Sequence, residues 1–237
     1  MVDPTDNHLQ NASGDGAMVR LAVRRRRTRR RPMENPTPNS EDRAGTVFAF
    51  LFCSVDGYFE DAEAKLDWGV NDDEFFAWNV RQLSQIGALL LGRRTYEHFA
   101  AFWTSAEAAS RMPEVATFMA SVPKLVITSQ APSDQVWSGT RTSDGYDLAA
   151  DIRDLINEVS GDVAIFGSSE LTASLLDQGL IDELRILVHP VLLGRGRSLL
   201  SGLTERIRLD PGPVTVFTSG NVLLGYRPRA HSLGWPS

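Results

Sequence analysis

Apolar residues fall along this chain in two alternating rhythms. Short, nearly unbroken runs, "TVFAFLFC" (46–53), "ALLLG" (88–92), "KLVITS" (124–129) and "DVAIFG" (162–167), have the length of strands buried on both faces. Between them, apolar positions recur three and four residues apart. Phe75, Phe76, Val80 and Leu83 mark a helix capped by Asn71 or Asp72 and ending near Gly87. "RTYEHFAAFW" and "MPEVATFMASV" predict two more helices, and "DLAADIRDLINEVS", apolar at 148, 152, 155, 156 and 159, a fourth. "SELTASLLDQG" then reads as a helix and "DELRILVHPVL" as a strand. The last stretch, "PVTVFTSGNVLLGYRP", reads as two strands around a turn at Gly220 and Asn221. Strand and helix in alternation predict an α/β protein: a mostly parallel central sheet, helices on both faces, and an antiparallel hairpin at the C-terminal edge.

This rhythm starts only at residue 46. Residues 1–45 are rich in Pro, Asn, Asp and Arg and contain "VRRRRTRRRP", a block of like charge that repels itself, so a disordered tail is expected there. Two readings stay open for it: an unstructured extension, including an upstream start with Met33 as the true one, and a phosphate-binding arm for nucleic acid. The first is preferred. A short tail is expected again over 229–237. The net charge is −6, but residues 1–45 hold nine of the 24 basic and six of the 30 acidic side chains, which leaves the rest at −9. An acidic body argues against a nucleic-acid surface there.

No apolar run approaches the roughly 20 residues of a membrane-spanning helix, and no apolar core follows the arginines as an export signal requires. The single cysteine, Cys53, excludes an internal disulfide, fits a reducing cytoplasm, and lies among apolar neighbours as a small buried residue would. His98 and His189 have no partners at metal-ligand spacing, so no metal site is expected.

Candidate chemistry sits where strands end. In a parallel sheet the carboxyl ends of strands open onto a crevice, and a helix starting there points free N–H groups and its positive dipole end into it. One run ends in Gly92, followed by Arg93, Arg94 and Thr95. Another ends in Gly167, followed by Ser168 and Ser169, and a third in Thr128, Ser129 and Gln130. Glycine lets a ligand approach the backbone, arginine supplies fixed charge, and hydroxyls donate. Together they point to a dinucleotide phosphate pocket, and arginine in place of an acid near the crevice points to the 2′-phosphate of NADPH. The usual G-x-G-x-x-G fingerprint is absent.

Four motifs carry a family resemblance: "SVDGYF", "LLLGRRTYE", "VITSQ" and "DVAIFGSSELTASLLDQGLIDELRILVHPVLLGRG". Over about 46–228 the chain resembles the dihydrofolate reductase fold family, in the branch that contains the reductase domain of riboflavin-biosynthesis deaminase-reductases. The resemblance implies a three-layer α/β/α reductase domain. It implies that Gly92, Arg93, Arg94 and Thr95 bind one side of NADPH, that Thr128, Ser129 and Gln130 face its adenosine end, and that Phe166, Gly167, Ser168, Ser169 and Glu170 meet the pyrophosphate. It also implies a nicotinamide beside Val55, Asp56 and Gly57, and a homodimer through the late strands.

Two departures bear on the substrate. Ser168 stands where many members have a second glycine. In folate-reducing members a helix carboxylate works with a late-strand threonine; here Asp73 is near the carboxylate position, but Leu187 stands at the other, which speaks against folate. Asp56 and Asp73 are the candidate proton donors, beside water, and Trp68, with Trp103, is the candidate wall for a flat substrate. The expected activity is NADPH-dependent hydride transfer to a small heterocycle. The alternatives are 5-amino-6-(5-phosphoribosylamino)uracil reduction and a non-catalytic nucleotide-binding dimer.

Overall fold

A computed structural model describes residues 45–130 and 137–229. The arginine-rich tail expected over 1–45 and the tail expected over 229–237 lie outside these, apart from Gly45 and Arg229.

The apolar runs are strands, as their continuity demands. β1 (Val47–Ser54), β3 (Ile86–Gly92), β4 (Lys124–Ile127), β6 (Asp162–Phe166) and β7 (Glu183–His189) run parallel, with a short β5 (Thr140–Ser143) beside β4. β9 (Leu209–Val216) and β10 (Val222–Pro228) form the antiparallel hairpin, completing the order β5-β4-β3-β6-β1-β7-β10-β9. A second sheet pairs β2 (Tyr58–Asp61) with β8 (Gly196–Ser198).

Successive side chains of a strand point to opposite faces, and each face here has its own core. Phe48, Phe50, Leu89 and Leu91 pack toward α1 (Asp73–Leu83), α2 (Arg93–Trp103) and α4 (Pro113–Ser121). Val47, Ala49, Leu51, Ala88 and Leu90 pack toward α5 (Leu148–Glu158) and α6 (Ser169–Asp177). Every strand residue named here is at most 6% exposed, so helices cover both faces and the three-layer expectation holds. A short helix, α3 (Ala106–Arg111), separates α2 from α4.

Helix boundaries follow local chemistry. Asp72 caps α1 by accepting from the Phe75 N–H at 2.7 Å, and Asp147 caps α5 from Ala150 at 2.9 Å. Gly87, expected as a helix end, lies inside β3; a Cβ there would come within 2.5 Å of the Ser160 carbonyl oxygen. Glycine at 87 is thus required for close approach of two backbones.

Candidate active site

α2 and α6 begin directly at the ends of the neighbouring strands β3 and β6, and both N-termini open on one cavity of about 450 Å³. Its lining includes Gly92, Arg93, Arg94 and Thr95 from one strand end and Gly167, Ser168, Ser169 and Glu170 from the other. Neither helix has a side-chain cap, and α2 has no acid in its first turn. Two sets of unsatisfied N–H groups and two positive dipole ends therefore face the same space.

Ser168 ties these two ends together. Its hydroxyl accepts the Gly92 N–H at 3.0 Å and donates to Thr95 Oγ1 at 2.8 Å. To do so it sits at φ +51°, a left-handed backbone disfavoured for a residue with a Cβ. Nothing among the described residues accepts from the Thr95 hydroxyl.

Charge in the cavity is uneven. Arg93 is paired with Glu97 at 3.1 Å, while Arg94 is exposed and has no partner among the described residues. Arg197, from β8, bridges Glu60 and Glu170 at 2.6 Å each, and its buried Nε is left without an acceptor. His98 of α2 also lines the space.

A second cavity of about 250 Å³ adjoins the first, and Phe59, Leu66, Phe99 and Gly167 line both. Its remaining walls are Phe50, Phe52, Phe166, Leu83, Trp103, Val115, Met119 and Asn79, the last being, beside the Trp103 indole N–H, the one polar side chain among the described lining. An apolar slot thus opens from an anion-attracting cleft at Gly167.

The other sequence candidates lie elsewhere. Phe166 lines the apolar slot and not the first cavity. Ile127, not Thr128, Ser129 or Gln130, lines the cleft at the end of β4; Thr128 turns back on its own loop, donating to the Gln130 carbonyl at 2.9 Å. Val55 is 60% exposed in the turn after β1, where Gly57 supplies φ +82°, and neither lines either cavity.

Asp56 accepts from Ser54 Oγ at 2.6 Å and from the N–H groups of Leu193 and Gly194 at 3.1 and 2.7 Å. The Ser54 bond above all holds its carboxyl below the usual range, the reverse of what a proton donor needs. It latches the β1 turn to the loop before β8. Asp73 is exposed in the first turn of α1 and lines neither cavity. Trp68 donates from Nε1 to Lys65 and sets its ring against His189, 5.4 Å between centroids, away from the slot. Cys53 is buried, its thiol pushed up to about 11 by desolvation, which suits a core residue.

Sequence reasoning missed Asn79, Arg197, Glu60 and all of the aromatic slot except Trp103, which does line it. Asn79 lies one helical turn before Leu83 on the inner side of α1, a position a helical projection could have found. Arg197 comes from a three-residue strand with no apolar pattern.

A family model described as the RibD C-terminal domain matches residues 45–223. The uncharacterized protein YyaP of Bacillus subtilis (strain 168) is 25% identical over 176 residues, 74% of this chain and 91% of that protein. A putative riboflavin biosynthesis protein from Shewanella sp. PV-4 superposes with a TM-score of 0.61 at 21% identity, over 78% of this chain and 99% of that one. The diaminohydroxyphosphoribosylaminopyrimidine deaminase/5-amino-6-(5-phosphoribosylamino)uracil reductase of Thermotoga maritima gives 0.57 at 15% identity, over 78% of this chain and 57% of that one. At these identities the structural likeness is one of fold.

Proposed function

The chain belongs to the RibD C-terminal domain family, and from that premise we propose that it is an NADPH-dependent reductase of a small, flat, largely apolar heterocycle. One observation carries this reading: α2 starts with Arg93 and Arg94 at an uncapped N-terminus, where positive charge works against the helix dipole. Such a placement is locally unfavourable in the free protein and becomes favourable when an anion sits there.

The residues present suit a coenzyme that carries a pyrophosphate and a separate 2′-phosphate. The N-termini of α2 and α6 and the Thr95 hydroxyl would hold the pyrophosphate, Gly92 and Gly167 leave room beside the backbone, and Arg94 would meet the 2′-phosphate. When bound, NADPH supplies the hydride for reduction. The chain's part is to bring the two rings into contact at the junction by Phe59, Phe99 and Gly167 and to exclude water from the slot. The proton that the adjoining heteroatom needs would come from solvent at the mouth, since the slot's described lining contains no acid.

Phosphoribosylaminouracil reduction is the narrower reading. It would require the slot to seat a ribose phosphate, and the slot's described lining offers only Asn79 and the Trp103 indole N–H as polar groups and no cation. Complementation of a riboflavin auxotroph tests it. A homodimer belongs to the same proposal: Val214 and Val216 stand 62% and 67% exposed on the edge strand β9, and sedimentation at a single chain's mass would remove it. A coenzyme of reductive metabolism and a buried free thiol suit the cytoplasm.

Calorimetric titration with NADPH and NADH tests the central reading. NADPH should bind more tightly; no binding of either would end it. Binding without NADPH oxidation across pterins, pyrimidines, quinones and nitro compounds would favour a non-catalytic nucleotide-binding protein.

A further inference from the structure

We propose that Asn79 orients the substrate by donating its side-chain N–H to an acceptor on it, a carbonyl oxygen or an unprotonated ring nitrogen. This rests on the reductase reading and adds the chemistry by which the slot selects what it reduces.

The polarity of Asn79 is set from a distance. Glu183 grips Arg185 with both oxygens, at 2.8 and 3.2 Å, and the guanidinium lies 3.7 Å above the Phe48 ring. Arginine can only donate, so the group it meets on Gln82, at 3.2 Å, is the oxygen Oε1. Gln82 is buried, and its other end, Nε2, donates to Asn79 Oδ1 at 2.8 Å. Each amide in this relay is thereby oriented, and the last one turns its NH₂ outward. Nothing among the described residues accepts from that group, and apart from the Trp103 indole N–H the rest of the described lining is apolar. Asn79 is half-buried, and a ligand filling the slot would strip water from this donor, which is what makes such a group discriminating: ligands with an acceptor at the right place satisfy it and others leave it unpaired. An N–H on a carbonyl oxygen also draws electrons from the carbon that is to receive hydride.

The test uses the full-length protein loaded with NADP⁺ and two bicyclic probes of similar size, chromone, which carries acceptors and no donor, and indole, which carries only a donor. By calorimetry the unaltered protein should bind chromone about five- to tenfold more tightly than indole. Asn79→Leu should level that preference. Asn79→Asp, which keeps the shape and the Gln82 contact but presents an acceptor, should reverse it. A preference unchanged in both variants overturns the assignment, as does an unaltered protein that favours neither probe or binds neither. NADPH titration of the same three proteins separates the two levels: failure to bind the unaltered protein overturns the reductase reading, whereas intact coenzyme binding with an unaltered probe preference overturns the role of Asn79 alone.

Discussion

Ser168 Oγ donates to Thr95 Oγ1 across 2.8 Å, joining two helix starts that are 73 residues apart in the chain. The same oxygen accepts the Gly92 N–H, so one hydroxyl sets the spacing of both walls of the anion cleft. Two opposing terms can be separated by substitution. Ser168→Ala loses both hydrogen bonds but keeps the left-handed backbone, and should cost about 1–2 kcal/mol. Ser168→Gly loses the same bonds and relieves roughly 1 kcal/mol of strain, so it should lie within about 1 kcal/mol of the unaltered protein. Both should weaken NADPH. Urea unfolding gives the comparison, and equal destabilisation by the two variants would show that strain plays no part.

Arg94 predicts changes of opposite sign in stability and binding. It has no partner among the described residues and sits against the dipole of α2, so Arg94→Ala should leave stability unchanged or raise it by a few tenths of a kcal/mol. The same change removes a charge-assisted contact to phosphate, and NADPH affinity should fall about ten- to a hundredfold, NADH affinity much less. Equal losses for the two coenzymes would contradict a 2′-phosphate contact.

Asp56 should prove structural. Its carboxylate holds two backbone N–H groups and the Ser54 hydroxyl, and those bonds favour its ionised form. Asp56→Asn can no longer accept at both oxygens, so the melting temperature should drop while kcat at neutral pH stays within several-fold. The pH–rate profile should keep its shape. A variant that folds normally but loses an ionisation from kcat would restore Asp56 as the proton donor.

How far these features were legible depended on the range of the forces behind them. Runs such as 88–92 announced strands because burial on both faces demands continuous apolar residues, and Asp72 announced a cap through its offset to Phe75. β5, sequence "TRTS", announced nothing; it is a strand because β4 offers it an edge, with Lys124 opposite Thr140. In the site, Gly92 and Gly167 were visible because glycine after a strand is a local signal. Asn79 was not, since its orientation comes from Gln82 through Arg185, 103 residues away from Gln82. Asp56 misled for the same reason: its partners Leu193 and Gly194 are 137 and 138 residues distant. Thr128, Ser129 and Gln130 looked like donors to a ligand, but Thr128 satisfies its own loop.

Lys124 gives a pH dependence confined to one window. The side chain is 1% exposed; Nζ donates to the Val122 and Ser138 carbonyls at 2.8 and 3.1 Å and lies 4.2 Å above the Trp137 ring. Burial still pushes its pKa down to about 8 from 10.5. Between those values the unfolded chain binds the proton and the folded chain does not, so stability rises with pH across the window; below pH 8 both forms are charged and the penalty is present in full. The rise should be on the order of 3 kcal/mol at most. Lys124→Met should flatten that slope in unfolding measurements from pH 8 to 10.5. Parallel slopes would show that Lys124 is not penalised by folding.

Glu170 should restrain coenzyme binding, contrary to the part its family position implies. It lines the anion cleft and occupies Arg197 Nη1 at 2.6 Å, while Glu60 occupies Nη2. With Glu170 71% exposed, the pair adds little to stability, so Glu170→Gln should change it by less than about 0.5 kcal/mol. The substitution removes a negative charge from the cleft and frees half of the Arg197 guanidinium for a phosphate oxygen. NADPH affinity should therefore rise several-fold, and fall more steeply with added salt than in the unaltered protein. Glu60→Gln should act in the same direction but cost stability, because that carboxylate is only 13% exposed and its loss leaves Arg197 poorly paired. Weaker NADPH binding by Glu170→Gln would mean that the carboxylate itself, and not the arginine it holds, meets the coenzyme.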